Sequence, residues 1–143
     1  MIRKFSENDL DSVMEIWLNA NLNAHFFIPK EYWKRNYDAV KEMLPQAEIY
    51  VYEDEKTHRI SGFAGLTGSY LAGIFVEENS RSKGIGKMLL DRIKQIKSEI
   101  TLNVFQKNVR AVSFYLREDF IVQSESIDSE TNENEYLMIW KRD

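Results

Sequence analysis

Apolar residues along this chain switch repeatedly between two spacings, and each switch requires a change of secondary structure. Leu10, Val13, Met14, Trp17 and Leu18 recur at helical spacing, as do Tyr32, Trp33, Tyr37, Val40 and Leu44. From Glu48 the period becomes two, through Ile49-Tyr50-Val51-Tyr52, Ile60 to Leu66 and Tyr70 to Val76. Three such runs joined by short turns predict an antiparallel meander. Residues 84–98 return to helical spacing, with Ile85, Met88, Leu89, Ile93 and Ile96 on one face and Lys87, Asp91, Arg92, Lys94 and Lys97 on the other. A strand at Glu99 to Val104, a helix at Val109 to Arg117 and strands at Phe120 to Ile127 and Tyr136 to Lys141 follow. At the other end, a short strand at Ile2 to Phe5 runs into Ser6 and Asp9, the spacing of a capping box that opens the first helix. Asn19, Asn21, Asn23 and Pro29 predict a break over residues 19–29, a second helix begins near Lys30, and Pro45 ends it.

The order strand, two helices, three strands, helix, strand, helix, two strands predicts an α/β (α+β) fold. Its central sheet is mixed and mostly antiparallel, with about seven strands and helices on both faces, and a βαβ unit joins the fourth and fifth strands. At 143 residues this is a single domain, 1–143. The chain has no cysteine and only two histidines, His25 and His58. Disulfide scaffolds, thiolate metal sites and a cysteine nucleophile are therefore excluded, and the composition suits a reducing compartment. Glu53, Asp54 and Glu55 read as a solvated turn, so no metal site is expected. No apolar stretch has the length of a signal peptide or a membrane span, which places the chain in the cytoplasm without membrane association.

The net charge is −4, unevenly spread: Lys and Arg against Asp and Glu leave −1 over 1–47, −2 over 48–76, +4 over 77–110 and −5 over 111–143. A basic island inside an acidic chain fits a small polyanion better than nucleic acid. At its centre lies Arg81-Ser82-Lys83-Gly84-Ile85-Gly86-Lys87, between a strand and a helix. Glycines there let a ligand approach the backbone, and the helix start offers free N–H groups with about half a positive charge. Arg81, Lys83 and Lys87 add to the field, so a pyrophosphate fits. The Rossmann fingerprint lacks its third glycine, since Leu89 stands there, and no P-loop pattern occurs.

Ile74-Phe75-Val76, then Arg81-x-x-Gly84-x-Gly86, then Asn108-x-x-Ala111-x-x-Phe114-Tyr115 followed by Phe120, resembles the GNAT superfamily of acetyl-coenzyme A-dependent N-acetyltransferases, in particular its small single-domain bacterial members. The likeness spans nearly the whole chain and implies acetyl-CoA as cosubstrate. It further implies backbone hydrogen bonds from Ile74, Phe75 and Val76 to pantetheine, and a pyrophosphate held by Arg81, Ser82, Lys83, Gly84, Ile85, Gly86 and Lys87. Asn108 would lie along the coenzyme arm and Tyr115 near its sulfur. Three positions depart from the pattern: Ser82 stands where many members have Gly, Glu78 where many have Pro, and Asp119 where the last helix usually ends in Gly.

Acetyl transfer to an amine needs a neutral nucleophile, a polarised thioester and a proton for the departing thiolate. A backbone N–H around Ile74 to Val76 can stabilise the oxyanion, and Tyr115, ordinarily ionising near pH 10, can protonate the sulfur. Asn108 equally suits a plain helix cap. The general base is open between Tyr70, His25, Glu77 and a water chain. His25, Phe26, Phe27, Tyr32 and Tyr70 are the candidate acceptor-site residues, whereas Trp33 and Tyr37, four apart on one helix, read as core. The acidic stretch Glu125 to Glu135 reads as a charged hairpin that can also attract a cation. Without cysteine, transfer is direct from coenzyme to a protein lysine, a protein N-terminus or a small amine, by a monomer or homodimer. The alternatives are a coenzyme A-binding regulatory module without turnover and a partner-binding domain that uses its aromatic loop.

Overall fold

Alternating residues of the meander point to opposite faces, and the chain buries both. In the computed structural model, which describes residues 1–143, the strands are β1 (Ile2–Lys4), β2 (Glu48–Glu53), β3 (Ile60–Thr67), β4 (Tyr70–Val76), β5 (Glu99–Phe105), β6 (Ile121–Ile127) and β7 (Asn134–Lys141). They form one sheet in the order β1-β2-β3-β4-β5-β7-β6, antiparallel everywhere except between β4 and β5. Helices α1 (Leu10–Ala24) and α2 (Lys30–Met43) pack on one face, with Val13, Met14, Trp17 and Trp33 against Ile49, Val51 and Phe63. Helices α3 (Ile85–Ile96) and α4 (Val109–Arg117) cover the other, with Leu89, Leu90, Ile93 and Tyr115 against Ala64, Leu66, Ile100 and Met138. Strand β3 is buried along nearly its whole length because it lies beneath helices on both sides. Trp33 is buried in the core and Tyr37 packs half-buried against it, the two set against Trp17 at ring distances of 5.9 and 6.4 Å.

Helix α1 continues through residues 19–24, where the asparagines predict a break. The reason is local: Asn21 turns inward and its amide donates to the Trp17 carbonyl four residues back at 2.9 Å, while Asn19 and Asn23 face solvent. Asn21 thereby satisfies its own side chain without competing for the helix backbone. The helix stops at His25, whose N–H closes on the Asn21 carbonyl. Its other end is fastened by Asp9, which accepts from the Ser6 N–H at 2.8 Å, completing one half of the expected box. Asp9 is also gripped bidentately by Arg3 at 2.8 and 2.9 Å, and Arg3 Nε reaches Glu53 at 3.0 Å. This pairing holds the Asp9 carboxyl below the usual carboxylate range.

Asp119 adopts φ 72°, the left-handed state the resemblance expects of a glycine. The turn is stabilised from outside: Lys94 Nζ donates to the Glu118 carbonyl at 2.6 Å while lying 5.8 Å over Phe120 and 5.1 Å over Trp140. No helix of the chain is long and apolar enough to cross a membrane.

Candidate active site

The sheet opens between β4 and β5. Only Tyr70 and Thr101 pair across this junction, with Thr101 N–H donating to the Ser69 carbonyl at 3.0 Å, and beyond them the two strands diverge. A bulge contributes: Gly65 pairs with Gly73 and Leu66 with Leu71, so Ala72 is an extra residue that bends β4. Glu77 N–H donates to the Ser61 carbonyl. By the alternation of an antiparallel ladder, Phe75 therefore spends its backbone groups on β3, while Ile74 and Val76 present theirs to the gap. Gly73 permits this path, because a Cβ there would lie 2.5 Å from the Phe75 ring, itself stacked on Phe63 at 4.9 Å.

Beyond β4 the Arg81–Gly86 turn coils into α3. Ser82 and Gly84 both take positive φ, 70° and 78°, and no side chain caps the helix start, which leaves its first N–H groups available to an anion. The glycines show what this turn is shaped for. A Cβ on Gly84 would meet no atom within 4 Å, and one on Gly86 would meet Phe114 at 3.7 Å and Ile74 at 3.9 Å, ordinary contact distances. The protein's own packing thus leaves room that these glycines do not fill, which fits a phosphate group lying against the backbone.

Turn and gap open into one groove of about 720 Å³. Its walls are the end of α1, strand β4, the Arg81–Lys87 turn and the inner face of α4. Five cations, Arg81, Lys87, Lys107, Arg110 and Arg117, line it against a single carboxylate, Glu118, which pairs with Lys87 at 3.0 Å. Tyr115 is buried and lines the same groove; burial pushes its hydroxyl pKa up, so it stays protonated at neutral pH.

Asn108 caps α4 by accepting from the Ala111 N–H at 3.2 Å, and its amide nitrogen reaches His25 Nε2 at 3.0 Å. His25 Nδ1 meets Asn21 Oδ1 at 3.0 Å, and the ring stacks on Trp33 at 5.3 Å. Burial lowers the His25 pKa to about 4, so the imidazole is neutral.

Of the residues expected to hold the coenzyme, Ile74, Phe75, Val76, Arg81, Ser82, Gly84, Ile85, Gly86, Lys87 and Asn108 line the groove; Lys83 does not. Of the expected acceptor residues, His25 and the highly exposed Phe26 line it, while Phe27, Tyr32 and Tyr70 lie outside. Tyr32 reaches Glu130 at 2.7 Å, tying α2 to the β6–β7 hairpin, and Tyr70 donates to Asn103 at 2.8 Å across the gap. Glu77 is held by Arg59 at 2.8 Å and does not face the groove. Sequence reading missed Arg110, Phe114 and Arg117, although their spacing of four and three residues puts them on one face of α4.

An opened parallel junction, a left-handed anion turn and a cationic groove joining them define a domain that binds an extended phosphorylated cosubstrate beside exposed strand backbone. The family described as the acetyltransferase (GNAT) domain matches residues 45–122. The chain is 30% identical to the peptidyl-lysine N-acetyltransferase YiaC of Escherichia coli over 98% of its own length and 96% of the relative's. It is 29% identical to the peptidyl-lysine N-acetyltransferase YjaB of the same organism, over 87% and 84%. The solution structure of apo YjaB superposes with a TM-score of 0.87 at 26% identity, covering 100% of this chain and 98% of that one. YncA of Salmonella typhimurium, determined with its cofactor acetyl-CoA, shares the fold with a TM-score of 0.69 at 16% identity, over 100% and 94%. The chain belongs to the GNAT family and is an acetyl-CoA-dependent N-acetyltransferase.

Proposed function

We propose that the chain acetylates lysine side chains of proteins in the cytoplasm, by direct transfer from acetyl-CoA bound in the groove. The observation that carries the reading is the coincidence of exposed β4 backbone, the left-handed Arg81–Gly86 turn and Tyr115 in one groove. Near-full-length similarity to two peptidyl-lysine N-acetyltransferases supports the acceptor class.

Bound acetyl-CoA supplies the activated thioester; the rest falls to the chain. Arg81 and the first N–H groups of α3 hold phosphate, with Ser82, Gly84 and Gly86 keeping the backbone accessible. Backbone N–H groups of Ile74 and Val76 hold the arm and the developing oxyanion. Tyr115, protonated and without a hydrogen-bond partner in the chain, donates its proton to the departing sulfur. The acceptor comes from the other face of the gap, where Tyr70, Asn103, Glu135 and the acidic β6–β7 turn lie. A lysine amine is only about 0.04% neutral at pH 7, against about 14% for an α-amine, so a lysine acceptor needs help losing its proton. Glu135 suits this role because burial and Asp128 raise its pKa toward neutrality. Tyr70 is pushed upward instead, which keeps its proton on.

Intact-mass and peptide-mapping analysis of lysine peptides and proteins incubated with acetyl-CoA tests the acceptor class, with free amines and N-terminal peptides alongside. Acetylation on ε-amines is expected, and exclusive modification of small amines or α-amines would overturn it. Glu135→Gln should shift the acid limb of the kcat/KM profile, and an unshifted limb would return the base to solvent.

A further inference from the structure

We propose that His25 is a positioning residue for Asn108: as a neutral ring with its lone pair on Nε2, it pins the Asn108 amide so that a free N–H faces the coenzyme arm. The inference rests on the groove being the coenzyme site.

The relay begins and ends on backbone groups whose roles cannot be exchanged. The Trp17 carbonyl only accepts, so Asn21 turns Nδ2 to it and leaves Oδ1 toward His25 Nδ1. At the other end the Ala111 N–H only donates, so Asn108 turns Oδ1 to it and leaves Nδ2 toward His25 Nε2. An oxygen at one ring nitrogen and an N–H at the other admit one form of the ring, protonated on Nδ1 and bare on Nε2. An imidazolium would set N–H against N–H, and the ring's pKa of about 4 accords with its staying neutral. Stacking on Trp33 and edge contacts with Phe105 at 5.1 Å and Phe27 at 5.7 Å fix its plane.

A cap bond alone would leave the Asn108 side chain held at one point. The second bond, from a ring itself wedged among aromatics, holds it at two, and Asn108 Nδ2 keeps one hydrogen that the relay does not use. Asn108 and His25 both line the groove, so the relay also joins the last turn of α1 to the first of α4 across it. With its lone pair committed to Asn108, His25 does not serve as the base that takes the acceptor's proton.

The test is a double-mutant cycle on coenzyme A affinity, read by calorimetry. His25→Phe keeps the stacking and removes both bonds, and should raise Kd about tenfold; Asn108→Ala should do the same, and the double variant should be no worse than either. His25→Gln, which offers an amide N–H toward Asn21 and an amide oxygen toward Asn108, should restore affinity to within about threefold of wild type. At saturating coenzyme, kcat of His25→Phe should hold within about threefold with its acid limb in place. Additive effects would overturn the proposal, as would a lost acid limb with unchanged Kd, which would make His25 the base. Nitrogen-15 spectra of the wild-type ring at neutral pH give a readout independent of coenzyme and of any variant's folding. A proton on Nε2 would overturn the proposal, whereas failure of the wild type to bind coenzyme A would strike the groove reading itself.

Discussion

A methyl at Gly86 would sit at ordinary contact distance from Phe114 and Ile74, so the fold has no use for a glycine in the first turn of α3. Glycine within a helix costs roughly 0.5–1 kcal/mol against alanine. Gly86→Ala should therefore stabilise the protein by about that amount in urea titration while weakening coenzyme A binding, and a variant that gained stability without losing affinity would remove the phosphate from this turn. Gly84 differs, because its φ of 78° makes any side chain strained whatever the space. Tyr115 makes the opposite kind of case, since its ring is packed between Phe114 and Phe120 at 5.2 and 5.4 Å while its hydroxyl has no partner. Phenylalanine keeps that packing. Tyr115→Phe should leave folding and the KM for acetyl-CoA nearly unchanged and lower kcat by about 10²–10⁴. A kcat within about threefold of wild type, with chemistry shown to be rate-limiting, would leave the sulfur to be protonated by water.

Elements of this fold are joined by polar ties as much as by their apolar faces, and the tie from β1 to α1 makes a pH-dependent prediction. Asp9 has its pKa lowered first by the Arg3 hydrogen bonds, so its contribution is present above the ordinary carboxylate value near 4 and is lost as pH falls through the lower folded value. Asp9→Asn should cost about 1–3 kcal/mol at pH 7, and the gap to wild type should shrink in urea titrations repeated near pH 3. A gap independent of pH would assign the loss to packing. The same kind of tie explains what the sequence could and could not show. Periodicity marked every strand and helix of the sheet, and the Arg81–Gly86 turn stood out because glycine and charge are local signals. The continuation of α1 past Asn19 was hidden, because asparagine usually bonds nearby backbone in non-helical conformations, whereas Asn21 bonds one turn back to Trp17 and one turn on to His25 with the helix intact. Likewise the pairing of His25 with Asn108 spans 83 residues, and only the closing of the sheet brings the two together. Phe27 and Tyr32 stand out in the sequence as part of the aromatic density of residues 19–37, but the polar partners that hold Tyr32 and Tyr70, Glu130 and Asn103, lie 98 and 33 residues away and emerge only when the sheet closes.

At the scale of the molecule, charge of the two signs gathers at two places around the gap, joined by one ion pair, Lys107 to Glu133 at 3.1 Å. The groove carries five cations against one carboxylate, whereas the β6–β7 turn, on the side proposed for the acceptor, holds Asp128, Glu130 and Glu133, with Glu135 at the start of β7. The chain as a whole is acidic at −4, so the groove's field is local and is felt by a ligand only near its mouth. On the proposed function, such an arrangement draws a polyanionic donor and a cationic acceptor to different sides of one gap. Both attractions act through partly exposed charges and should be screened as the Debye length falls from about 10 Å at 0.1 M salt to about 3 Å at 1 M. KM for acetyl-CoA and KM for a lysine peptide should therefore both rise with ionic strength. The two dependences should also separate by mutation. Arg110→Ala with Arg117→Ala should flatten the salt response of the coenzyme alone, and Asp128→Asn with Glu130→Gln, neither of which pairs with a groove cation, that of a lysine peptide alone, each read from initial rates with the other substrate saturating. Lys83→Ala, outside the groove, should change neither. If the hairpin variant left the peptide's salt response intact, or altered the coenzyme's, the acidic turn would be an ordinary solvated hairpin and the acceptor would reach the gap by another side.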